Sequence, residues 1–108
     1  MQEPDVVTAL AALAHPLRLR VFRALVVAGP EGLTPGVLAE RLAVPATTLS
    51  FHLKELSRAG LAASERASRN LVYRAEFAAM NELLRYLTDN CCEGAACEMP
   101  PGSASCGC

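Results

Sequence analysis

Aromatic side chains are scarce in this chain, 5% of 108 residues, although 52% of its residues are hydrophobic. Burial therefore has to come from Leu, Val and Ala, and a core made that way is thin for a single domain of this length. Covering an apolar face with a second copy is the usual remedy, so a homodimer is expected. Long apolar runs are also missing: nothing approaches the roughly 18 residues that a membrane-crossing helix needs, and no membrane partner is expected. The first basic residue is Arg18, preceded by Glu3 and Asp5. Such a start does not resemble a secretory signal, and a cytoplasmic location with reduced thiols is the expectation. No cysteine precedes residue 91.

A net charge of −1 does not advertise a polyanion binder, but its distribution does. Residues 18–74 hold nine basic groups against four acids, whereas residues 75–108 hold Arg85 against five acids. The local field decides where a polyanion docks, and the middle of the chain is the positive part.

Hydrophobic spacing divides the chain into helices and one hairpin. Residues 5–14 form a helix with Val6, Leu10 and Leu13 on one side, broken at His15-Pro16 because a residue before proline avoids the helical region. A second helix starts at Pro16 with Leu17, Val21 and Leu25 inward, and Gly29-Pro30 ends it. Residues 33–42 make a third, with Thr34 as N-cap, Pro35 at the first position, and Val37, Leu38 and Leu42 inward. A short Ala-Val-Pro turn leads to the stretch Val44 to Leu61, VPATTLSFHLKELSRAGL, in which Leu49, Leu53 and Leu56 define one buried stripe and Gly60 supplies a left-handed stop. Two helices joined so tightly are a helix-turn-helix. The runs Leu61 to Arg66 and Leu71 to Ala75 read as a β-hairpin, the wing of a winged helix. Residues 76–89 return to helical spacing through Phe77, Met80, Leu84 and Leu87. The fold class is thus mainly α with a small hairpin: four helices, two strands and a fifth helix. The winged helix occupies residues 1–89 and a cysteine-rich tail residues 90–108.

Opposite the leucine stripe of the fourth helix lie Thr47, Phe51, Lys54 and Arg58, flanked by Thr48 and Ser50. Hydroxyls at such positions reach base edges or phosphates, Lys54 and Arg58 neutralise phosphates, and Phe51 can lie against a thymine methyl. Arg66 and Arg69 stand near the tip of the wing and reach the neighbouring backbone. His52, at the margin of the stripe, reads as a half-buried structural histidine, and His15 as a loop histidine in an inter-helix corner.

The segment Ala14-His15-Pro16-Leu17-Arg18, the run Leu49-Ser50-Phe51-His52-Leu53-Lys54-Glu55-Leu56 and the following Ala59-Gly60-Leu61 resemble the ArsR/SmtB family of metal- and metalloid-responsive bacterial repressors over roughly residues 5–89. The resemblance implies a homodimer that leaves double-stranded operator DNA when an inducer binds; the comparable apolar stripes of the first and last helices suit packing across the twofold axis. Two departures stand out. Many members have Ser at the start of the recognition helix, where this chain has Pro45, so Thr47 or Thr48 takes over the cap or water does. The founding arsenic repressors carry Cys-Val-Cys in the third helix, where residues 33–42 here have no cysteine.

All five cysteines, Cys91, Cys92, Cys97, Cys106 and Cys108, fall in the last 18 residues. Chance would do that with odds on the order of 10⁻⁴, so the cluster calls for a chemical reason. Soft thiolates select thiophilic ions. Arsenite or antimonite takes three sulfurs in a pyramid, which Cys91, Cys92 and Cys97 can supply, with Gly94 letting the chain fold back. This arrangement is similar to a C-terminal arsenic site in one branch of the family. Tetrahedral zinc usually comes with C-x2-C pairs, and none is present. Cd(II), Pb(II) and thiol oxidation stay open as alternatives, and no organic cofactor is expected. The reading is a repressor released by As(III). Alternatives are a repressor answering another thiophilic ion or oxidation, or a metalloid-sequestering protein that does not bind DNA. An enzyme is not expected: the thiols sit beside Glu93 and Glu98 rather than in a cationic loop, and nothing else pairs a nucleophile with a base.

Overall fold

The computed structural model describes residues 1–90. The cysteine tail and its proposed ligands Cys91, Cys92 and Cys97 lie outside the described residues. The elements run α1 (Glu3–Leu13), α2 (Pro16–Ala28), a 3₁₀ turn (Gly29–Glu31), α3 (Pro35–Leu42), α4 (Ala46–Arg58), β1 (Ala62–Ala67), β2 (Asn70–Ala75) and α5 (Phe77–Thr88). This is the winged helix-turn-helix order expected from the spacing.

Local chemistry fixes the ends. The His15 imidazole accepts the Leu17 N–H at the start of α2, and the Thr34 hydroxyl accepts the Val37 N–H at the start of α3. Helix α4 closes in a Schellman turn: Gly60 takes φ +79°, its N–H donates to the Ser57 carbonyl, and the Leu61 N–H donates to that of Leu56. Leu56 and Leu61, paired across that turn, are both fully buried. At the other end of α4 no side chain caps the helix behind Pro45, so neither Thr47 nor Thr48 takes over.

The core is a layer of aliphatic side chains shared by the helices. Val21, Phe22 and Leu25 of α2, Leu38 of α3, Leu49, Leu53 and Leu56 of α4, and Leu83 of α5 are buried in it. One inward assignment, Val37, differs from the sequence pattern, and the apolar stripes of α1 and α5 are only partly covered by this chain's own core. The buried positions of α1 are Val6, Ala9 and Ala12, and Leu10 is 41% exposed. Close approach of α1 to its neighbours selects alanine for that face, which turns the larger leucine outward. Val37 of α3 is exposed, leaving Leu38 as the buried anchor. On α5 the buried residue is Leu83, while Leu84 and Leu87 face outward.

The hairpin pairs Ala62 with Ala75 through to Ala67 with Asn70, leaving Ser68 and Arg69 as a two-residue turn. A bridge ties it to the body: Leu33 and Tyr73 exchange N–H···O bonds of 2.8 Å in both directions. Arg74 adds a second tie, donating from Nε to the Pro30 carbonyl at 3.0 Å and from Nη1 to Glu65 at 2.7 Å. Gly32 makes the bridge possible. At φ +69°, a Cβ there would run into the Tyr73 carbonyl oxygen and the Val72 side chain. Gly32→Ala is therefore expected to cost roughly 1–3 kcal/mol, read as a lower urea midpoint, and to loosen hydrogen-exchange protection at Leu33 and Tyr73.

Candidate nucleic-acid interface

The candidate interface follows from how α4 is held. Its leucine stripe is fully buried, so the remaining arc of the helix has to face outward. Thr47, Thr48, Ser50, Lys54 and Arg58 are all exposed, and the Phe51 ring is 54% exposed. The sequence-predicted residues of α4 thus share one continuous face. Arg58 sits 3.7 Å from Glu55, but its side chain is largely in solvent. Such a pair is weak and leaves the guanidinium available to phosphate. The uncapped N-terminus of α4 presents backbone N–H groups beside the Thr47 and Thr48 hydroxyls, which favours an anion there.

The wing supplies the rest. Arg66, opposite Leu71 near the end of β1, and Arg69 in the turn are exposed and have no acidic partner among the described residues. Arg74 is different in kind, since its bonds to Pro30 and Glu65 make it an anchor of the wing.

Sequence reasoning missed Arg18. From α2 it donates from Nε to His52 Nδ1 at 3.1 Å, and its guanidinium lies 5.8 Å from the centre of the Phe51 ring. The two histidine rings are 4.6 Å apart, and Phe51 meets His52 edge-on at 5.2 Å. His15, read as a loop residue, is the N-cap of α2 and part of this stack. His52 is the buried, hydrogen-bonded histidine expected from its place on the wheel. The four side chains join the first turn of α2 to the middle of α4 and hold the exposed aromatic in one orientation.

Burial pushes the His52 imidazole below its ordinary value, His15 and Arg18 push the same way, and Glu55 opposes them. The unfolded chain takes up this proton near pH 6.5, the folded chain only at lower pH. The stability held by neutral His52 is therefore whole above about pH 6.5 and is lost as pH falls through that value towards the depressed one. Thermal melts from pH 8 to pH 5 should show this loss in the natural chain. His52→Asn, which keeps a side-chain acceptor for Arg18 and removes the titration, should flatten the profile.

A helix-turn-helix domain family matches residues 13–65, which run from the end of α1 into the wing. An uncharacterized helix-turn-helix transcriptional regulator of Bacillus subtilis, YceK, is 41% identical over 58 residues, 54% of this chain and 57% of the relative. The chain thus spans little more than half the length of that curated relative. Among solved structures, an ArsR-like transcriptional regulator from Rhodococcus sp. RHA1 superposes with a TM-score of 0.74 at 29% identity, covering 83% of this chain and 82% of its own. HlyU from Vibrio cholerae N16961 superposes with a TM-score of 0.64 at 32% identity, covering 81% of this chain and 97% of its own. The agreement extends through the winged helix on both sides of the recognition helix, and the chain belongs to the ArsR family of helix-turn-helix transcriptional regulators.

Proposed function

We propose that the chain is a homodimeric repressor that binds double-stranded operator DNA and releases it when a trivalent arsenical binds the tail thiols. The observation that carries the DNA half is the outward face of α4, where hydroxyls, one aromatic and two cations are presented together by a fully buried stripe. Lys54, Arg58, Arg66 and Arg69 hold phosphates, and Thr47, Thr48, Ser50 and Phe51 meet base edges. Lys54→Glu with Arg69→Glu should abolish operator binding in a gel shift while leaving the melting temperature unchanged. Retained binding in the double variant would overturn this face as the DNA contact, and a natural chain that takes up arsenite but no DNA would leave only a sequestering role.

The dimer reading rests on apolar surface. Val7 and Leu10 of α1 and Leu84, Tyr86 and Leu87 of α5 are exposed, and α1 and α5 pack against each other, with the Met1 ammonium 3.7 Å from Glu82. Fully burying side chains of this size against a second copy stabilises by about 1.5–3 kcal/mol each. Such pairing also sets two recognition helices at a fixed spacing along the duplex.

The inducer reading rests on thiol chemistry. No cysteine precedes residue 91, so any thiolate site must draw on the tail. Arsenous acid condenses with three thiols, each S–H proton leaving with one hydroxyl as water while an As–S bond replaces the As–O bond, which suits Cys91, Cys92 and Cys97; antimonite behaves alike, and Cd(II) or Pb(II) are the alternatives. Because these thiols follow α5 directly in sequence, capture of the ion reaches the helix assigned here to the dimer interface. A coupling of about 1–3 kcal/mol would lower DNA affinity by about 5- to 150-fold. Stoichiometric arsenite should release the natural protein from its operator, and Cys→Ser at 91, 92 or 97 should remove the response without weakening DNA binding. Release that persists in all three variants would overturn the site.

A further inference from the structure

Between α2 and α3 runs an open groove of about 390 Å³ that the DNA reading leaves unused. Leu19, Ala24, Val27 and Leu42 form its apolar walls, and Arg20, Arg23 and Arg41 converge on it. All three arginines are exposed, and none has a carboxylate within ion-pair distance among the described residues. Val27 is 78% exposed at its centre. Three unpaired cations around an aliphatic strip fit an anionic chain with apolar side chains.

Operator DNA is the wrong occupant. Val21, Phe22 and Leu25 turn one side of α2 into the core that it shares with the leucines of α4, whereas Arg20, Arg23 and Val27 lie on the opposite side of α2. The reading face of α4 also points away from that shared core. The two basic surfaces therefore face away from each other, and a duplex seated on α4 leaves the groove open.

We propose that the groove is the docking site of the chain's own tail, residues 91–108. That segment carries Glu93 and Glu98 and no basic residue, with Ala95, Ala96 and Met99 between and beside them. Its charge and apolar content complement the groove. The helix that carries it is near: Leu19, Arg23 and Val27 form a ridge whose other side is a second cavity, of about 330 Å³, walled by Met80, Leu83 and Leu84 of α5. The tail follows the helix just across that ridge, and 18 residues reach about 60 Å when extended. Tethering makes the contact intramolecular, at an effective concentration in the millimolar range, so weak complementarity suffices. The docking does not depend on what the thiols bind.

The five native cysteines serve as reporters, since the remainder of the chain has none. In the full-length protein, Val27→Cys places a thiol in the groove and Ser68→Cys places one at the tip of the wing. With diamide as oxidant, the Val27→Cys protein should form a disulfide to a tail cysteine, mapped by peptide mass spectrometry, at least about tenfold faster than the Ser68→Cys protein. The rate should not depend on protein concentration. Adding Arg23→Glu and Arg41→Glu, or raising salt to about 0.5 M, should bring it down to the Ser68→Cys rate. Circular dichroism of each variant reports the fold. Equal rates for the two cysteine variants, a rate that rises with protein concentration, or an advantage that survives charge reversal would each overturn the proposal.

Discussion

The structure depends on the burial of Leu49, Leu53 and Leu56 against the other helices. Helix α4 has 13 residues and no side-chain cap at its N-terminus, and an isolated helix of that length is marginal in water. Its helical state comes from tertiary packing. The same burial decides its rotation about its own axis, because a stripe that is fully inside leaves the other face no choice but solvent. The surface offered to a duplex is thus a by-product of the core. The Schellman turn at Gly60 and the Leu56–Leu61 pair extend that control to the wing, whose first strand starts directly after the turn.

The junction of Arg18, His52, Phe51 and His15 adds a polar constraint to this apolar one. A half-exposed aromatic that rotates freely loses that freedom on binding, at about 0.5–1.5 kcal/mol for a mobile side chain. The guanidinium over the ring and the edge contact with His52 order Phe51 beforehand. The hydrogen bond from Arg18 requires His52 to keep Nδ1 as an acceptor, so the neutral imidazole is the form that fits, and its lowered pKa follows from the same burial.

Much of this was legible in the sequence because the signals were local. Element order follows from spacing, from Pro16, Thr34 and Gly60, and from the change of period after Leu61. The wheel of α4 gave the outward face correctly. What spacing cannot rank is which of two apolar faces goes inward where a helix carries more than one. In α1 the small face of Val6, Ala9 and Ala12 won over Leu10, because helices that approach closely select alanine. In α5 Leu83 is inside and Leu84 and Leu87 are not, the pattern of a helix with a second apolar surface to cover. Arg18 was missed because its partner stands 34 positions away and no local pattern announces a contact of that range.

Helix α2 is where these parts meet. Its inner side shares the core with α4, its first turn carries Arg18 and the His15 cap, and its outer ridge of Leu19, Arg23 and Val27 separates the α3 groove from the α5 cavity. A signal that starts beyond α5 and ends at the outward face of α4 can cross this helix, pass through α1, which touches both α5 and α4, or travel through a change in subunit spacing. The first route has a physical lever. The Arg18 to His52 bond is directional, and it already spans 3.1 Å, so a small rotation of α2 breaks it and frees Phe51. The core resists continuous deformation, because close-packed side chains move between discrete arrangements. A junction of one hydrogen bond and one ring contact on top of a rigid leucine stripe therefore lets the reading face be disturbed without unfolding the helix that carries it.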